Sequence, residues 1–260
     1  MSASKVAGEV ARERGSRLIA ASERPAFYAL GRGRAQEIVT LLHPPYTAWH
    51  LSYFALGAAI APHLYVNRLL WGLLAFGLAV GLAAHALDEL HDRPLGTSFS
   101  DRTLVVLAAV SLLAALAIGV GGVITVSALL APFVVAGGVF LPAYNLELAH
   151  GRFHNDLWFA LGWGAFPALT GYVAEAESVT VAGLLIAAGC MAISVAQRRL
   201  SSAARELRRR TRSVQGVHTR SDGAEEPLSV ERLLAPLDAA LAALSLAMVI
   251  TACALVVARL

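Results

Sequence analysis

The chain reads as an all-α polytopic membrane protein, a bundle of about seven transmembrane helices. Two observations predict it. Of the 260 residues, 57% are apolar and only 15% charged, with mean hydropathy +0.62, whereas a soluble domain carries about 25% charged residues. Runs of about 20 apolar residues recur, each long enough to cross the hydrocarbon core as a helix. Alternating strand patterns are absent, which excludes a barrel.

Taken in order, the spans are 46–66, 69–87, 103–122, 124–143, 155–175, 178–200 and 232–258. Gly119, Gly121 and Gly122 predict a tight, uncharged hairpin between the third and fourth. Pro236 and Asp238 lie near the start of the last span, where proline kinks a helix or marks its first turn. Residues 1–45 precede the spans, and 6–21 mix apolar and Arg/Glu positions at roughly helical spacing, as in a helix lying on the membrane surface. The N-terminus is polar and lacks a signal-peptide core. Residues 201–231 read as a basic, flexible loop, and 232–260 as a C-terminal transmembrane helix. Cys190 and Cys253 fall within apolar spans without metal-ligand spacing and read as buried small hydrophobes.

Positive charge is nearly all arginine, with Lys5 the sole lysine. One block is Lys5, Arg12, Arg14, Arg17, Arg24, Arg32 and Arg34; the other lies in 198–220. Six spans separate the two blocks, so the positive-inside rule places both in the cytoplasm and the C-terminus outside. The expected location is therefore multi-pass in an inner or plasma membrane. The same bias explains the arginines of 198–210 as membrane anchoring. No soluble module with a basic face is visible, which excludes nucleic acid as a partner.

Against this apolar background stand two polar clusters holding half of the eight histidines. The first contains His85, Asp88, Glu89, His91, Asp92 and Arg93; the second contains Tyr144, Asn145, Glu147, His150, Arg152, His154 and Asp156. Ionisable groups at a bilayer are costly and mark functional sites by default. His85, Asp88, Glu89 and Asp92 follow i, i+3, i+4, i+7 spacing, which places them on one helix face. Paired carboxylates suit a hard cation such as Mg²⁺. Pro94 ends that helix, and Arg93 is either a phosphate clamp or a partner for Asp92. Both clusters follow even-numbered spans, so both fall on the cytoplasmic side, where they can share one cavity.

The stretch 84–92, with Asp88 and Asp92, resembles the first aspartate-rich motif of the UbiA superfamily of intramembrane prenyltransferases. Ala84-His85 stands where the family has Asn-Asp. Arg93-Pro94-Leu95 resembles the family's RPL segment, here without its spacer. Tyr144, Asn145 and Arg152, followed by the glycine-rich 161–167, resemble the family's connection between the fourth and fifth helices. The resemblance covers roughly residues 40–200, with 46–200 as a UbiA-like six-helix core. It implies transfer of a polyprenyl group from its diphosphate to an unidentified acceptor, or cyclisation of that group, with Mg²⁺. Asp88 and Asp92 would hold the metal, with Glu89 or His85 assisting. Arg93 and Arg152 would contact diphosphate, oriented by Tyr144 or Asn145. Trp158, Phe159, Trp163 and Phe166 would line an isoprenoid channel or anchor the helix at the interface. The family has nine helices and a second acidic motif after helix six, where this chain offers only Glu206 among arginines.

Two alternatives remain open at this point. Glu147-x-x-His150 has the spacing of di-iron bundle sites, and His154, His85 and His91 could complete an iron-binding redox centre. A non-catalytic relative of the family would serve as a membrane scaffold or lipid binder.

Overall fold

The computed structural model describes residues 26–29 and 33–260. The expected surface helix at 6–21 lies outside these residues. The protein is an all-α membrane bundle, with six helices long and apolar enough to cross a bilayer. A short helix, α1 (Arg34–Leu41), precedes α2 (Pro44–Ile60). The six long helices are α3 (Val66–Asp92), α4 (Asp101–Thr125), α5 (Ala128–Asn145), α6 (Asp156–Ala176), α7 (Val181–Arg210) and α8 (Val230–Val257). Their apolar outer faces, including Val110, Leu113, Ile124, Val139 and Leu185, are exposed, as a bundle in lipid requires.

Helix α2, at 17 residues, is short for a span but forms the centre of the bundle. Pro44 and Pro45 occupy its first turn, where a missing N–H is harmless. It ends earlier than expected because Ala61 precedes Pro62 and adopts the extended conformation that proline imposes on its predecessor. Trp49, Tyr53 and Phe54 are fully buried. Trp49 Nε1 donates to the Tyr53 hydroxyl at 2.6 Å, which also accepts from Ser194 Oγ at 3.2 Å. Small residues allow α2 and α6 to touch through their backbones. A Cβ on Gly57 would lie 1.8 Å from the Ala168 carbonyl oxygen, and one on Gly171 would lie 2.1 Å from that of Phe54. Helix α8 packs on α2 and α7 through Leu234, Leu241, Ser245, Met248 and Ala252. Arg259, just after α8, donates to the carbonyls of Ala61 and Pro62 at 3.0 and 2.6 Å.

Two further boundaries depart from expectation. Helix α4 continues through Gly119, Gly121 and Gly122 to Thr125. Gly119 and Gly122 are packing positions, where a Cβ would meet Val134 at 2.8 Å and Leu130 at 3.3 Å, whereas Gly121 faces open space. The break comes at Ser127, whose side chain caps the next turn through Leu129 N. Helix α7 extends to Arg210, ten residues into the segment read as loop. Beyond it lies a two-stranded antiparallel hairpin, β1 (Val217–Thr219) with β2 (Glu225–Pro227). Cys190 is buried, but Cys253 is exposed on the outer face of α8.

Candidate active site

The first cluster forms the last turns of α3, directly after a π-helical stretch, Gly77–Ala84. Such widened turns recur at functional sites. Arg93 closes the helix in a left-handed conformation, φ 51°. The expected single face divides into two roles. Glu89 is fully buried and accepts from Leu95 N at 2.9 Å, Thr97 N at 2.7 Å and Thr97 Oγ1 at 2.9 Å. Its carboxylate therefore fastens the α3–α4 loop and faces away from any ligand space. Arg93 has a similar task. It donates to the Phe99 carbonyl at 2.6 Å and pairs with Asp101, not with Asp92. Ser98 ties the same loop to α1 by donating from N and Oγ to Glu37 at 3.1 and 2.5 Å. Those bonds hold the Glu37 carboxyl below its ordinary range.

Asp88 and His85 face inward. His85 is buried, and its Nδ1 donates to the Gly81 carbonyl at 3.3 Å. Asp88 is half-buried and lies within electrostatic reach of Arg205, Arg209 and His154. Asp92 and His91 are exposed at the rim.

The second cluster reaches the same rim. Helix α5 stops at Asn145, and the chain turns through Glu147, Ala149 and His150, all with positive φ. Glu147 and His150 therefore share no helix face, and the Glu-x-x-His reading fails for that reason. His150 is exposed. Glu147 instead bridges the clusters: its carboxylate oxygens lie 3.9 Å from His91 Nε2 and 3.6 Å from His154 Nδ1. His91, Asp92 and Glu147 offer ligand atoms all within 4.8 Å of one another. His154 stacks on Tyr144 at 4.6 Å between centroids, and Tyr144 meets Trp163 at 4.4 Å. Asn145 is buried and its Nδ2 donates back to Leu141 O at 2.8 Å, so its amide stabilises α5. Arg152 is exposed and makes no ion pair among the described residues.

Between these rims lies a group of polar side chains that the sequence reading passed over. His43, at the N-terminus of α2 with φ 46°, packs on His85 at 4.0 Å between ring centroids. Burial, then His85 beside it, holds the His43 imidazole well below its ordinary pKa. Tyr28 packs on His43 and Tyr46, and its burial pushes the phenol well up. Deeper in, His50 is 4% exposed, Gln197 2% and Tyr144 4%. His50 lies against Gln197 and the Tyr46 backbone, while the Tyr144 hydroxyl and His43 Nε2 are buried without a hydrogen-bond partner. Phe159 joins them: its ring lies 6.2 Å from both His50 and Tyr144, with the Arg198 guanidinium 5.1 Å above it. An unpartnered buried polar atom is costly, so the Tyr144 hydroxyl is available to a polar ligand. The available signal was a single His inside the apolar run of α2, a pattern that usually marks a satisfied core residue.

An apolar cavity of about 620 Å³ lies between α3, α4, α5 and α6. It is lined from Asn67 and Arg68 at one end to Val80, Leu141 and Trp163 at the other. Thirteen residues of α3 separate its ends, about 20 Å of helix. Of the four expected channel aromatics, Trp163 and Phe166 line this cavity. Phe159 instead stacks behind Trp163 at 5.9 Å, and Trp158 packs on Phe153 at 5.2 Å. The inner end stops at Trp163, the ring against Tyr144. The long apolar space thus ends beside a group of buried polar side chains. Compared with models of known families, with curated proteins and with solved structures, the chain matches none.

Proposed function

We propose that the protein is a UbiA-like membrane prenyltransferase acting on a polyprenyl diphosphate. The observation that carries this reading is the apolar cavity ending at Trp163, whose ring meets Tyr144 at the edge of the polar group of Asp88, His50, Tyr144 and Gln197. An isoprenoid chain fits the cavity by its apolar lining and length; its charged end then lies beside Tyr144. The C1–O bond breaks, the electron pair leaves with the diphosphate oxygen, and an allylic cation remains. The acceptor supplies the electron pair of the new bond to C1 and gives up a proton; in a cyclase the acceptor is a double bond of the same chain.

Asp88 and Asp92 stand at i, i+4 on α3, the former half-buried and the latter exposed, and both offer the oxygen ligands Mg²⁺ prefers. That ion, when bound, supplies positive charge to the leaving group. Tyr144 orients the diphosphate through its partnerless hydroxyl. Glu89 and Arg93 contribute by holding the loop that ends α3. The arginine bias supports a cytoplasmic side for this polar group, with a cytoplasmic N-terminus and the C-terminus outside.

The test is pyrophosphate release by the purified protein with Mg²⁺ and allylic diphosphates of increasing length. Release, or a Mg²⁺-dependent complex lost in Asp88→Asn, is expected. Neither release nor binding at any chain length would overturn the reading.

One observation favours a second reading, a carboxylate–histidine iron centre. The His91, Asp92 and Glu147 group, with His154 beside it, joins imidazole to carboxylate donors, a set suited to iron. Stoichiometric iron in the protein as purified, lost in Glu147→Gln, would support it.

A further inference from the structure

The acidic side chains around the end of α3 differ in what already holds them. Glu89 accepts three hydrogen bonds, Asp101 pairs with Arg93, and Asp156 pairs with Arg198. Asp92 and Glu147 accept no hydrogen bond among the described residues. Glu147 reaches the rim from the turn after α5, and its oxygens lie 3.9 Å from His91 Nε2 and 3.6 Å from His154 Nδ1. Those distances are too long for hydrogen bonds. The donors of His91, Asp92 and Glu147 all lie within 4.8 Å of one another, and Asp88 is not among them. Donor atoms that share one ion at about 2.1 Å stand about 3–4 Å apart. Small rotations of these three side chains therefore close them around a cation. Two carboxylates this close repel each other, and a divalent ion between them turns repulsion into attraction.

Direct contacts join this group to the end of the apolar cavity. Trp163 lines the cavity and meets Tyr144 at 4.4 Å; Tyr144 stacks on His154 at 4.6 Å; His154 flanks Glu147. His154 Nδ1 also donates to the Tyr144 carbonyl at 3.2 Å, which fixes the ring against Glu147, as outer-shell partners orient metal ligands. A separate sign of a ligand here is Tyr144 itself, 4% exposed, whose hydroxyl has no partner.

We infer that Glu147, with Asp92 and His91, binds the divalent ion that holds the diphosphate, and that His154 is a positioning residue for Glu147. The inference rests on the diphosphate reading above and sharpens it. The carboxylate that joins Asp92 comes from the turn after α5 and not from the same helix. An imidazole among the donors also favours a first-row transition ion such as Mn²⁺ over Mg²⁺.

The experiment has two readouts on the full chain in neutral detergent. One is Mn²⁺ binding, followed by loss of the free ion's paramagnetic resonance signal. The other is retention of labelled inorganic pyrophosphate in Mn²⁺ and in EDTA. One Mn²⁺ per chain is expected, with pyrophosphate retained only when it is present. Both should weaken about tenfold or more in Glu147→Gln, the scale of damage to a metal site. His91→Asn should lose the preference for Mn²⁺ over Mg²⁺. Glu206→Gln, at an exposed acid of α7 beside Arg210, should bind as the wild type does. Glu147 accepts no hydrogen bond, so its amide variant keeps the fold, which an unchanged unfolding midpoint checks. A Glu147→Gln protein that binds both as tightly as wild type overturns the inference and leaves the prenyltransferase reading standing. Mn²⁺ lost in Glu147→Gln with pyrophosphate retained as before gives the group to the iron reading and also overturns it. Equal loss in Glu206→Gln assigns the effect to general surface charge, with the same result. No pyrophosphate retained by the wild type in either condition removes the inference and the diphosphate reading together.

Discussion

The imidazoles of His43 and His85 lie 4.0 Å apart between ring centroids, tilted by 50°. One comes from the N-terminus of α2 and the other from the turn of α3 that follows the π-helical stretch. Two such rings cannot both carry charge at this distance. The positive charge of Arg205 and Arg209 is also felt at His43.

This arrangement makes stability depend on pH. The His43 imidazole is held below its ordinary value, chiefly by burial and next by His85. In mild acid the unfolded chain therefore binds a proton that the folded chain refuses. Stability is complete above the unfolded value, about pH 6.5, and declines as pH falls below it toward the folded value. The slope for one such group approaches about 1.4 kcal/mol per pH unit. His43→Gln should flatten the decline in unfolding midpoint between pH 7.5 and pH 5.5. An identical decline in the variant would show that other groups cause it.

Glu89 should behave as a structural residue. Its carboxylate, fully buried, accepts three hydrogen bonds from Leu95 and Thr97. Glu89→Ala leaves those donors without a partner and should cost about 3 kcal/mol of stability. Thr97→Val removes one bond and should cost about 1 kcal/mol. Unfolding midpoints in detergent check both. An Ala variant as stable as wild type would place the role of Glu89 elsewhere.

The contact between α2 and α6 depends on absent side chains. Gly171→Val would drive a Cβ into the Phe54 carbonyl. The helices must then separate, at about 3 kcal/mol or more. Gly137 makes a contrast on the cavity wall, since a Cβ there meets Phe166 at an ordinary 3.5 Å. Gly137→Ala should fold normally. Expression level and monodispersity in size-exclusion chromatography separate the two.

The cavity also sets a length. Gly137→Trp fills space between α5 and Phe166 and should shift preference toward shorter allylic diphosphates. Competition between short and long diphosphates for the protein reads this directly. Unchanged preference would show that the chain lies elsewhere in the bundle.

The membrane class and the position of every long helix were legible in the sequence because apolar run length is set by bilayer thickness, independently of packing. Helix starts fall where a local signal acts, as at the Ser100 and Asn155 caps. Boundaries were misread where glycine serves packing and not turning, as at Gly119 in α4. The two polar clusters were also visible, since charge stands out against an apolar background. Their division of labour was not. Glu89 and Asp88 are adjacent in sequence, and only the path of the α3–α4 loop turns one toward Thr97 while the other faces Arg205. Spacing along one helix fixes the angle of a side chain about that helix but says nothing of what waits there. His43 and His50 were hidden for the same reason. A histidine in an apolar helix is ordinary until the fold brings His85, Gln197 and Arg205 from three other turns of the bundle to its side. Hydrophobic patterning determined which segments cross the membrane; tertiary packing decided which of their few polar groups face one another.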